Sequence, residues 1–173
     1  MTSKEVFQKI HAENNSELYV NNFKVNGEIG SYIHITQYHL KVFYNSDLMD
    51  VFYDFGNSDS ALITINLPSS HTFPEFQLTT MDHITKLFFF RKKNWRLKCK
   101  HPRLSKKIET LLRKHSLIDL IENTGFEPTI TGNLSISSYK VTTRFSLSYS
   151  ENITSINTIF DFHKGLIDLI KEK

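Results

Sequence analysis

The sequence predicts an α+β domain spanning residues 1–173, in which a mostly antiparallel sheet of six to eight strands carries helices on one face. Three observations predict it. From Leu18 to Leu67 apolar and polar residues alternate between turn signals, as strands require. Residues 103–123 and 152–172 instead place apolar side chains at helical spacing. Finally, no internal repeat, linker or low-complexity segment divides the chain.

In chain order, Ser3 can cap a short first helix whose apolar stripe is Val6, Phe7 and Ile10. The run ELYVNNFKV then breaks at Asn26-Gly27, a strong hairpin signal. In SYIHITQYHLKVFY, Tyr38, Leu40, Val42 and Tyr44 alternate with Gln37, His39, Lys41 and Phe43. Turns at residues 45–47 and 56–60 deliver LMDVFYDF and ALITINL, which completes a meander of about four strands.

Pro68 and Pro74 bracket a loop, and the pattern from there to Lys86 is weak. KLFFF and WRLKC read as a hairpin joined by RKKN. Trp95, Leu97 and Cys99 share one of its faces, and Arg96, Lys98 and Lys100 the other. Pro102 suits the first turn of the mid-chain helix. Its apolar face is Leu104, Ile108, Leu111, Leu112, His115 and Ile118, and beyond Ser116 the stripe loses phase, which predicts a kink or a second short helix before Gly125. PTITGNLSIS and YKVTTRFSLSY form a last strand pair, with Val141, Arg144 and Leu147 at odds with strict alternation. The final helix is the clearest element, with Ile156, Ile159, Phe160, His163, Leu166, Ile167 and Ile170 on one stripe.

Composition excludes several classes. With 39% hydrophobic and 23% charged residues, the chain is neither globally disordered nor low in core-forming side chains. A single cysteine, Cys99, precludes an intramolecular disulfide and fits a reducing compartment. No apolar run approaches the roughly 18 residues of a membrane span. The N-terminus is polar and amphipathic, unlike a secretory signal, so the expectation is a cytoplasmic protein.

Catalytic and cofactor signatures are absent. Six scattered glycines write neither a phosphate loop nor a dinucleotide fingerprint, so no cofactor is expected. Asp54-Phe55-Gly56 copies a kinase triplet by its letters alone. Metal ligation is not expected either. His34 and His39 point to opposite faces of a strand, and Asp47, Asp50 and Asp54 lack calcium-loop spacing. Asp50 and Asp54 do share a strand face, where solvated outer-face acids are the simpler account. Cys99 sits with Trp95 and Leu97 and reads as a buried, inert thiol. These absences lean away from an enzyme.

What stands out is charge. Residues 86–114 hold 12 basic side chains and one acid, a local sum of +11; the remainder holds 9 basic and 17 acidic side chains, a sum of −8. A merely solvated face usually mixes both signs. The candidate surface is therefore Arg91, Lys92, Lys93, Arg96, Lys98, Lys100, Arg103, Lys106 and Lys107. The functional expectation is a non-enzymatic binding or adaptor domain whose basic hairpin and helix contact nucleic acid or an acidic protein. Trp95 and Phe88 or Phe90 could stack on bases if exposed. A membrane surface fits less well, because it requires the phenylalanines outside. The alternative is a small-ligand carrier or enzyme, with a cavity between the sheet and the final helix lined by aromatic and His residues of the 32–55 region.

Overall fold

The computed structural model describes residues 2–26, 31–68, 73–81, 93–147 and 155–172. Its first helix, α1 (Ser3–Glu13), is fixed by a capping box. The Glu5 N–H donates to Thr2 Oγ1 at 3.3 Å, and the Thr2 N–H donates to Glu5 Oε2 at 2.7 Å. Thr2 is thus the cap and Ser3 the first helical residue, one position earlier than the sequence suggests. Reciprocal satisfaction of two orphan N–H groups favours the residue with an acid three places on. Val6, Phe7 and Ile10 form the buried stripe as expected.

The meander follows as β1 (Ser16–Asn26), β2 (Tyr32–Tyr44), β3 (Asp47–Phe55) and β4 (Ser60–Pro68). Asn45 and Ser46 both take positive φ, 49° and 68°, in the two-residue turn between the Tyr44 and Asp47 partners. Such turns match the twist of the flanking strands, and Asn tolerates this conformation. Gly56 (φ 88°) turns β3 into β4. A Cβ there would stand 2.2 Å from the His34 carbonyl oxygen, so the glycine of the Asp-Phe-Gly letters serves a tight turn.

Two further strands, β5 (Phe76–Thr80) and β6 (Trp95–Cys99), precede helices α2 (Pro102–Lys114) and α3 (Leu117–Asn123). Strands β7 (Thr129–Leu134) and β8 (Ser138–Ser146) and helix α4 (Ile156–Lys171) complete the described elements. All eight strands join one antiparallel sheet in the order β1-β2-β3-β4-β8-β7-β5-β6. WRLKC is β6 as expected, but its described partner is β5, pairing Phe76 with Cys99 and Thr80 with Trp95. The weak pattern after Pro74 conceals that strand, because Gln77 and the two threonines dilute its alternation. KLFFF, the partner read from sequence, lies outside the described residues. The predicted break of the mid-chain helix occurs at Ser116, whose φ of 54° separates α2 from α3.

One face of the sheet is covered. Leu40, Val42, Val51, Ile63, Ile65, Val141 and Phe145 join the core cluster together with the buried stripes of all four helices. α4 buries seven apolar residues, Ile156, Ile159, Phe160, Phe162, Leu166, Ile167 and Ile170, against three on each other helix. At about 1.5–3 kcal/mol per fully buried large side chain, it is the largest helical contributor before chain entropy. β8 alternates strictly, with Tyr139, Val141, Thr143 and Phe145 inward, which corrects the irregular reading of this strand. A polar Thr143 on the inward side disguised the pattern, and its hydroxyl is satisfied by His163. The opposite face, open among the described residues, carries half-exposed His39, Phe52, Leu62, Thr142 and Thr131.

Candidate functional site

The cationic residues come from β6, the turn after it, and α2. On β6 the register places Arg96 and Lys98 opposite Thr79 and Gln77, on the open face. On α2, Leu104, Ile108 and Leu112 go into the core, so Arg103, Lys106, Lys107, Arg113 and Lys114 must point outward. Lys100 and His101 bridge the two elements. The cations therefore wrap around the β6 edge of the sheet instead of standing on one flat face.

Three adjoining depressions trace that wrap. The first, about 760 Å3, is lined by Arg96, Lys98, Lys100 and His101 with Phe76, Gln77 and Asn133. His101 also lines the second, about 570 Å3, with Arg103, Lys107, Leu104 and Phe73. Arg103 and Lys107 carry on into the third, a groove of about 660 Å3 between α2 and α4 that adds Lys106 and Lys114. Its floor is apolar, formed by Leu111, Leu169 and Gly165, and Asp168 and Glu172 stand on its α4 side.

Charge pairing divides the candidates. Lys93 is engaged: its Nζ lies 3.5 Å from Glu109 Oε1 and 4.5 Å from the centre of the Trp95 ring. Glu109, the one acid of the stretch, also accepts from Arg113 at 3.1 Å, and that bond with the Lys93 charge holds its carboxyl below the usual range. Lys107 pairs with Glu172 at 3.6 Å. Among the described residues, Arg96, Lys98, Lys100, Arg103, Lys106 and Lys114 take part in no ion pair. Arg91 and Lys92 lie outside the described residues.

The start of α2 is electrostatically unusual. Its N-cap, His101, makes no side-chain capping bond, and the first turn holds Arg103 and no acid. A helix N-terminus carries a partial positive charge that favours acids by about 0.3–1 kcal/mol each. Cations here oppose the helix instead of supporting it.

Other candidate chemistry resolves into local structure. Trp95 is 7% exposed and its Nε1 donates to Glu122 at 3.1 Å, so it offers no stacking platform. Cys99 is half-buried, a correction to the fully buried reading, and its thiol points to the His101 carbonyl 3.6 Å away. On the open face His39 Nε2 bonds Asp50 Oδ1 at 2.5 Å, a diagonal pair that sequence reading missed because it depends on the β2–β3 register. Asp54 is buried and accepts from Asn57 and Ser58 in its own turn. Among the described residues no group of three His, Cys, Asp or Glu side chains gathers to hold a metal ion. Nor does any described helix have the length and apolarity to cross a membrane.

In the region expected to wall a cavity, Phe7 from α1 stacks on Tyr38 at 4.3 Å and meets Tyr53 edge-on at 4.9 Å. Aromatic packing joins the 32–55 region to α1 there. Compared with protein-family models, curated proteins and solved structures, the chain matches none.

Proposed function

We propose that the protein is a non-enzymatic binding domain whose β6–α2 surface contacts an acidic segment of a partner protein. The observation that carries this reading is the unpaired cationic start of α2. Lys100 and Arg103 stand at the positive end of a helix with Lys106 one turn on, and none of the three pairs with a carboxylate among the described residues. Solvation explains why a surface helix bears charge. It does not explain cations where the helix itself favours acids.

The shape supports a polypeptide over a nucleic acid. The α2/α4 groove offers an apolar floor with cations along its α2 side and Asp168 and Glu172 along its α4 side, which suits a peptide that turns its carboxylates toward α2 and lays aliphatic side chains on the floor. Trp95, the aromatic residue that could have stacked on bases, is committed to the core.

The test is fluorescence anisotropy with three labelled probes: a Glu/Leu-rich peptide, mixed-sequence DNA and mixed-sequence RNA, each across a salt series. Wild-type protein binds the peptide, and binding weakens with salt. The triple variant K100E/R103E/K106E loses at least about tenfold in peptide affinity, as charge inversion at a contact predicts. It keeps or raises its thermal midpoint, since acids suit a helix N-terminus. Preferential binding of DNA or RNA would replace the peptide with a nucleic acid as partner. Binding of no probe, or peptide binding unchanged in the variant, overturns the surface.

A further inference from the structure

The groove between α2 and α4 has two unlike walls. Lys107 lies 3.6 Å from Glu172, and a Cβ on Gly165 would stand 2.7 Å from Leu111 Cδ1. The two helices therefore run antiparallel and approach closely beneath the groove. On the α2 wall Arg103, Lys106 and Lys114 spread over about three turns and take part in no ion pair among the described residues. The acids of the α4 wall are engaged. Asp168 accepts from Tyr44 Oη at 2.8 Å and from Asn45 Nδ2 at 3.1 Å, and Glu172 holds Lys107. A visiting carboxylate meets unpaired cations on one wall and like charge on the other.

The floor decides what kind of backbone can lie there. Leu111 and Leu169 pack against the core, are half-buried and line the groove. Away from the helix ends, the main-chain groups of both walls are bonded within their own helices. Thr110, beside the floor, donates its hydroxyl to the Lys106 carbonyl at 2.9 Å. An extended segment would lay its N–H and C=O groups on this surface with few partners, and unpaired polar groups oppose binding. A helix satisfies its own backbone and presents side chains alone.

We infer that the partner's acidic segment seats in this groove as an amphipathic helix, a step that rests on the acidic-partner reading above. Its aliphatic stripe, at the i, i+3 or i+4, and i+7 spacing of a helix laid in a groove, covers Leu111 and Leu169. Its carboxylates line the flank that faces α2. The flank facing α4 carries no acid, because a carboxylate there would meet Asp168 and Glu172. Three to four turns span the cations from Arg103 to Lys114. Recognition then depends on the order of residues as well as on composition: alternation of Glu and Leu, which suits a strand, scatters acids around a helix and onto the floor.

Three labelled peptides of about 14 residues test this, read by anisotropy and by the difference in circular dichroism between mixture and components. One sets Leu at helical spacing with Glu on a single flank, one arranges the same residues at strand spacing, and one repeats the helical order with a central proline. Peptides this short are marginal helices alone, so helix gained on binding is visible. The helical peptide should bind at least about tenfold more tightly than either other and gain helix signal. Thr110→Trp, at an exposed position lining the groove, should weaken it at least about tenfold with the thermal midpoint unchanged. Equal affinities, a tighter strand-ordered peptide or no gain of helix overturns the helical partner and leaves the acidic-partner reading standing. Binding lost in K100E/R103E/K106E but not in Thr110→Trp keeps the cationic surface and overturns the groove as the seat. Binding of no peptide overturns both.

Discussion

Thr143 on β8 and His163 on α4 meet inside the core, with Thr143 Oγ1 2.8 Å from His163 Nε2. His163 Nδ1 lies 2.6 Å from the Ile159 carbonyl, which can only accept, so Nδ1 carries the proton. Nε2 is then the acceptor and the Thr143 hydroxyl the donor. Both side chains are buried, and burial drives the imidazole pKa down to about 4.

That depression makes stability depend on pH. In the unfolded chain His163 titrates near 6.5, so on acidification the unfolded state takes up the proton first. The stability tied to neutral His163 is complete above pH 6.5 and lost as pH falls through about 4, a change on the order of 3 kcal/mol. Urea midpoints measured at intervals between pH 7 and 4 check this. The double variant H163L/T143V, which removes both polar partners, should show a flatter decline; an undiminished slope assigns the acid sensitivity elsewhere.

Tyr53 presents the opposite situation. Its ring is wholly buried among Phe7, Phe55 and Phe145, and its hydroxyl has no hydrogen-bond partner among the described residues. Burial alone pushes its phenol well above the usual range. An unsatisfied buried hydroxyl costs about 1–3 kcal/mol, so Tyr53→Phe should leave stability unchanged or raise it by about 1 kcal/mol. Calorimetry decides; a loss above about 1 kcal/mol shows that the hydroxyl has a partner.

Gly132 on β7 makes room for the core. A Cβ there would stand 2.2 Å from Tyr139 Oη and 2.4 Å from Phe76 Cε1. The Tyr139 hydroxyl donates to the Pro74 carbonyl at 3.0 Å, so it cannot withdraw without losing that bond. Gly132→Ala should destabilise by about 1–3 kcal/mol through overpacking. Adding Tyr139→Phe should recover part of the loss, measurable as a partial return of the thermal midpoint.

Glu109 restrains two cations of the proposed surface. Glu109→Gln releases Lys93 and Arg113 from their shared carboxylate. The acidic peptide should then bind a few-fold more tightly, with a steeper salt dependence. Stability should fall by less than about 1 kcal/mol, because these pairs are largely exposed. Weaker peptide binding would mean that Glu109 positions the surface rather than restraining it.

Much of the fold is legible in particular residues. The stripe from Ile156 to Ile170 announces α4, and the alternation of Tyr38, Leu40 and Val42 announces the inward face of β2. Pro102 and the phase loss near Ser116 mark both ends of α2. Strand β5 escaped because five residues with three polar members carry little periodicity, and Thr143 escaped because its partner His163 is 20 positions away. The basic stretch was visible as composition. Its division into engaged Lys93 and unpaired Lys100, Arg103 and Lys106 was not.

Side-chain direction is a local property, set by the two-residue repeat of strands and the 3.6-residue turn of helices. The chain by itself therefore determined which residues face inward, where most elements begin and where cations concentrate. Strand partners, the β1 edge and the wrap of cations around β6 depend on contacts between distant segments. Only the tertiary structure decided these, because each is settled by the packing of all the elements at once.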